Sequence, residues 1–163
     1  MKILNLLIFA MSISLSAQIA IGKENVEGSG ILDFGFGQNK GIILPAVTAT
    51  SQTPVNGTIL FDQNDKKIKI LENKIWLELS KSGSTEDLLI SDEKESGEGV
   101  ILGAESSAVS GVLVLESSNQ ALILPKIADP EINVKSPYPG MICYDITSKS
   151  LAVFDGIAWN YWK

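Results

Sequence analysis

Two aspartates hold equivalent places in this sequence. Asp62 follows Phe61 and Asp145 follows Tyr144, each ahead of a polar stretch. Such a pair suggests calcium ligation or one half of a glycosidase carboxylate pair. The same placement at a strand end also makes an Asx-turn, in which the carboxylate accepts backbone N–H bonds. Duplication at a strand end favours the turn. A glycosidase would also need a second carboxylate about 5–10 Å away, and no sequence rule supplies one. The other chemical group is aromatic: Trp76, Trp159, Tyr161 and Trp162, with Tyr138 and Phe154. Aromatic faces bind sugar rings through apolar contact and displaced water. Trp76 and Trp159 occupy matching positions and read as core residues, whereas Tyr161 and Trp162 stand where Glu78 and Leu79 stand earlier in the chain. The candidate ligand-binding set is therefore Tyr161, Trp162, Trp159 and Tyr138.

Much other chemistry is excluded by composition. All 13 basic residues are Lys, with no Arg and no His. Without His there is no Ser-His-Asp relay, no imidazole base and no His metal ligand. Without Arg there is no bidentate clamp for phosphate or guanine. A net charge of −6 repels nucleic acid and anionic lipid. Cys143 is the single cysteine, so no intrachain disulfide forms. Its counterpart is the apolar Leu60, which points to a buried, inert thiol. Glu86, Asp87, Asp92, Glu93, Glu95 and Glu98 cluster without the spacing and central Gly of a calcium loop. No catalytic residue, cofactor or metal site is expected, and the protein reads as a non-enzyme.

What positions these residues is a sequence written twice. Gly22, Gly30, Pro45, Gly57 and Trp76 recur as Gly103, Gly111, Pro125, Gly140 and Trp159, at spacings of 80 to 83 residues. The apolar runs between them recur too. Ile42-Ile43-Leu44 and Leu122-Ile123-Leu124 read as strands buried on both faces, each ended by a proline that offers no ladder donor. Each copy then closes as a meander, with Asn73 and Asp155-Gly156 as expected two-residue hairpin turns. No stretch longer than a turn shows helical periodicity beyond the N-terminus.

The predicted fold is mainly β: two tandem small β-repeat units (strand, buried strand ending in Pro, β-meander) joined by an acidic linker. Residues 1–17 read as a signal peptide, with Lys2, an apolar run and small residues before cleavage after Ala17. The first unit is 18–80, the Ser/Gly-rich acidic linker 81–99 and the second unit 100–163. The two units are expected to be separate and the linker solvated, extended by self-repulsion, with Leu88-Leu89-Ile90 able to add an edge strand. Units of about 60 residues are marginal alone. Without disulfide or metal, burial between subunits is the natural remedy, and a homo-oligomer is expected.

The ordered motifs also resemble a known repeat. Ile19-Ala20-Ile21-Gly22, Gly30-Ile31-Leu32-Asp33-Phe34 and Lys40-Gly41-Ile42-Ile43-Leu44-Pro45 resemble a repeat of phage tail fibres and of secreted Bacteroidota proteins. Its closing part is similar to Pro139-Gly140-Met141-Ile142-Cys143-Tyr144-Asp145 and Phe154-Asp155-Gly156-Ile157-Ala158-Trp159. Ala46 and Lys126 stand where that pattern has Arg, and the loops at 48–56 and 129–139 are short. The resemblance implies elongated, β-rich fibre modules that generally trimerise. Together these readings predict a secreted structural or adhesion protein, similar to a tail-fibre stalk, on or near the cell surface. Its expected partners are copies of itself, with a trimer favoured, and a surface glycan or envelope protein. The alternative is a carbohydrate-binding module that uses the C-terminal aromatics.

Overall fold

The computed structural model describes residues 18–50, 53–89 and 99–163. The expected signal peptide and residues 90–98 of the acidic linker lie outside the described residues. The described residues form an almost wholly β fold. Its first copy forms β1 (Ile19–Ile21), β2 (Gly30–Phe34), β3 (Ile42–Ile43), β4 (Ala46–Val47), β5 (Ile59–Asp62), β6 (Lys67–Glu72) and β7 (Ile75–Glu78). The second forms β8 (Val100–Leu102), β9 (Leu113–Leu115), β10 (Ala121–Leu122) and β11 (Lys126–Ile127), then β12 (Met141–Asp145), β13 (Ser150–Phe154) and β14 (Trp159–Trp162). Among the described residues, one helical turn, α1 (Pro130–Asn133), occupies the loop before β12. Seven strands thus recur in one order.

Local pairing repeats as well. β1 lies parallel to β2 and β8 parallel to β9; β4 lies parallel to β5 and β11 parallel to β12. The antiparallel meanders β5–β6–β7 and β12–β13–β14 close the copies. Such short parallel pairs, joined by loops that carry the chain back alongside itself, make the stacked coils of a β-solenoid. Gly57 and Gly140 precede β5 and β12 with φ of 90° and 86°, left-handed values that a side chain adopts only with strain. That requirement explains why glycine recurs there.

The separation expected between the copies is not observed. β10 of the second copy adds to β2 of the first in a parallel pair, and β3 of the first pairs antiparallel with β12 of the second. The backbone bonds Ala121 N–H to Ser29, Ile123 N–H to Leu32 and Leu44 N–H to Gly140 carry the exchange. One apolar core also crosses the copies, combining Leu44, Phe61, Ile68 and Leu79 with Ile142 and Val153. The physical cause is size. A seven-strand copy cannot cover its own strands, so each completes a sheet of the other.

Three further expectations change. β3 and β10 are only two residues long, and Ile43 and Leu122 stay exposed, so these strands are not buried on both faces. Residues 81–89 are partly docked rather than wholly solvated, through Gly83, Ser84 and Leu88, and Leu88 and Leu89 form no strand. Gly83 N–H donates to the Lys66 carbonyl, Ser84 N–H to Asp155, and Leu89 N–H to the Tyr138 hydroxyl, while Leu88 packs on the shared core. The two-residue turn occurs at Asn73-Lys74, with φ of 50° and 64°. Asp155-Gly156 instead opens a four-residue loop, closed by Asp155 N–H to the Ala158 carbonyl. There the Asp155 carboxylate accepts the Ile157 and Ala158 N–H groups and the Asn160 amide, so a side chain supplies the turn's bonds.

Candidate functional site

The paired aspartates are turn formers. Asp62 Oδ1 accepts the Asn64 N–H at 3.0 Å, and its Oδ2 accepts Lys69 Nζ at 3.0 Å. Asp145 is more deeply placed: Oδ1 accepts the N–H groups of Asp129 and Thr147 at 3.0 Å, and Oδ2 that of Ser148 at 3.1 Å. Burial opposes its charge, but the Ser148 hydroxyl and the three N–H donors outweigh this and hold the carboxyl below the usual range. It ties α1, β12 and the β12–β13 turn together. Among the described residues, no three Asp, Glu or Cys side chains gather as a metal set.

The aromatic candidates divide between two faces. Trp159 packs with Tyr138 against a second core cluster of Ile127, Val134, Met141, Cys143, Ala152 and Phe154. Its ring centroid lies 5.4 Å from that of Phe154, tilted by 51°. Tyr161 is two residues on, so it shares that face. Its hydroxyl donates to Glu131 Oε2 at 3.1 Å, and burial together with this carboxylate raises its pKa. Trp162 points to the opposite face, in register with Leu151. The structure therefore groups Tyr138, Trp159 and Tyr161 and sets Trp162 apart, although Tyr161 and Trp162 are both exposed. Cys143 is fully buried, and desolvation, with the Asp145 charge adding to it, pushes its thiol up to about 12. It is a protonated core residue at neutral pH.

The strands from the end of β8 through β14 also bear a recognisable pattern. Residues 102–163 match the family described as phage tail like trimerisation region. The match ties this part of the chain to phage-tail-like proteins. No curated protein and no solved structure matches the chain. The matched residues contain the whole second core cluster and the aromatic strand β14. They also present an apolar edge at β9, where Val112 is 60% and Leu113 44% exposed. The first copy has the same strand order but lies outside the match.

Two recesses open on the surface, the second of them bordered by one of the aromatic candidates. One of about 430 Å³ opens between the first strands of the two copies, beside Gln18, Ile19, Ile101 and Leu102. Another of about 290 Å³ runs along β3 and is walled by Ile43, Leu44, Leu88 and Tyr138. Sequence reasoning passed over two features. One is the buried Asp33, which accepts Lys23 Nζ at 2.6 Å and the N–H groups of Glu27 and Phe34 at 2.8 Å. Its signal was an acid inside the apolar run Gly30-Ile31-Leu32-Asp33-Phe34. The other is the exposed edge of β9, which only the pairing pattern reveals.

Proposed function

We propose that this chain is a secreted structural protein resembling a tail-fibre stalk, which assembles as a homotrimer and acts in adhesion at or near the cell surface. The observation that carries the reading is the match of residues 102–163 to a trimerisation region, on a chain of stacked β coils. Side chains in such a protein hold turns and cover strands. Asp62, Asp145 and Asp155 all do this, and the thiol of Cys143 is sealed in the core. The carbohydrate-binding alternative calls for a common aromatic platform. β14 turns Tyr161 and Trp162 to opposite faces, which favours the structural reading.

Export is tested by fractionating the producing cells and sequencing the mature N-terminus. The reading expects protein beginning at or within a few residues of Gln18, outside the cytoplasm and cleaved by protease added to intact cells. Full-length protein retained in the cytoplasm would overturn it.

A further inference from the structure

The two copies are joined by a pairing rule that leaves unfilled places at each end of the chain. β2 of the first copy takes a strand from the second copy's β10, and the second copy's β12 takes β3 from the first. In repeat terms, the third strand of each copy has two edges. One edge pairs with the second strand of the copy before, and the other with the fifth strand of the copy after. Within one chain half of these places are filled. Among the described residues, β9 has no strand where β2 receives one, and the N-terminal end of β5 has none where β12 receives one.

Burial follows this rule position by position. Ile31 and Leu32 on β2 are 1% and 4% exposed, whereas their counterparts Val112 and Leu113 at β9 are open. A Cβ on Gly30 would meet Ile123 Cδ1 at 2.7 Å, while one on Gly111 would meet only Leu113 and Val114, its own near neighbours. Gly140 lies within van der Waals reach of Leu44, but Gly57 faces open space among the described residues. Met141 and Ile142 are buried under β3, whereas Thr58 and Ile59 are only half-buried. The strands that would fill the places show the same asymmetry. Ile43 is 52% exposed while its counterpart Ile123 is half-buried on Gly30, and Leu44 is buried while Leu124 is half-buried.

Among the described residues, the hydrogen-bonding edges are open in the required direction. The Leu44 N–H is used toward β12, so alternation turns the Gly41 and Ile43 N–H groups to the other side. The Ala121 and Ile123 N–H groups are used toward β2, which leaves those of Leu122 and Leu124 facing outward.

We propose that the same two pairings recur between chains: β9 of one protomer receives β3 of the next, and β10 of the first lies along the N-terminal end of β5 of the next. The occupant of each open edge is a second copy of this chain. The interface continues one already built inside the protomer and uses edge strands that would otherwise invite unspecific pairing. It is heterologous, with different surfaces meeting, so it closes into a ring where the rotation permits. The closed form at three rests on the trimer reading above; the pairing itself does not.

Two variants with exposed substitutions, Leu113→Cys and Ile43→Cys, test it. They are co-expressed with different tags, purified through both, and treated with a short bis-maleimide. The native thiol of Cys143 is buried and protonated and stays silent. The expected result is a covalent heterodimer in the co-expressed sample and none from either variant alone. A Leu113→Cys/Ile43→Cys double variant should give covalent products up to three chains. Products running past three would support the pairing and overturn the closed trimer. A sample that native mass measurement shows to be oligomeric, yet yields no heterodimer, would overturn the pairing and leave the homo-oligomer reading standing. A monomeric mass would overturn both. Ile43→Asp gives a second reading: it should convert the oligomer to a folded monomer, and an unchanged oligomer would contradict the proposal.

Discussion

Asp145→Ala is expected to destabilise the protein by roughly 3 kcal/mol, several times the cost of Asp62→Ala. The two residues are sequence equivalents, so the contrast isolates environment. At Asp145 the substitution removes a buried carboxylate and leaves the N–H groups of Asp129, Thr147 and Ser148, which converge on it from α1 and a partly exposed turn, without their acceptor. Each stranded buried donor costs about 1–3 kcal/mol, and the sum is tempered by local relaxation. At Asp62 the Asn64 N–H, the Asn64 side-chain amide and the Lys69 ammonium lose a partner, and water replaces much of what is lost at this more exposed site. A cost of about 1 kcal/mol is expected there. Thermal or urea unfolding of both variants checks the ranking. Equal losses would show that Asp145 does not carry the β12–β13 turn.

Asp33→Ala should cost about 3 kcal/mol by leaving two N–H groups and a cation without their buried acceptor. Asp33 lies in β2, the central strand of the sheet that joins the copies, and its carboxylate is sealed from water. Its counterpart in the second copy is Val114, so the fold accepts an apolar residue at that register. A Lys23→Met/Asp33→Val double variant is accordingly expected to recover part of the loss, because breaking a buried pair costs more than replacing it. Burial opposes the Asp33 charge, but Lys23 and the N–H groups of Glu27 and Phe34 outweigh it and hold the pKa below its ordinary value. Asp145 is depressed in the same sense. A depressed folded-state pKa gives stability that is whole above the unfolded-state value, about 3.9, and is lost as pH falls through the folded values. Unfolding measured from pH 7 downward should thus stay level to about pH 5 and weaken below about pH 4, with a shallower acid loss in the double variant. An undiminished acid slope would show that the pair does not carry it.

The duplicated glycines, prolines and tryptophans made the strand order legible, since each marks a turn or a strand end whose cause is local. Asp62 and Asp145 were readable as turn carboxylates for the same reason. What escaped was long-range. That Leu44 would pack beneath β12 and Ile123 over Gly30 depends on which copy sits beside which, and no local preference encodes it. The acidic composition of 81–99 suggested a solvated connector, but Gly83, Ser84 and Leu88 dock because the shared core passes beside them. For the aromatic candidates, strand alternation decided the outcome. Residues adjacent in sequence, Tyr161 and Trp162, are divided by the sheet, while the distant Tyr138 joins Trp159.

A structural protein built to associate with itself forms a stable oligomer in solution. Light scattering coupled to size exclusion, on the mature chain across a range of concentrations, tests it most directly. A particle of three times the mass of one chain, with a β-rich circular dichroism spectrum, is expected. A protein that remains monomeric and well folded at high micromolar concentration would contradict it.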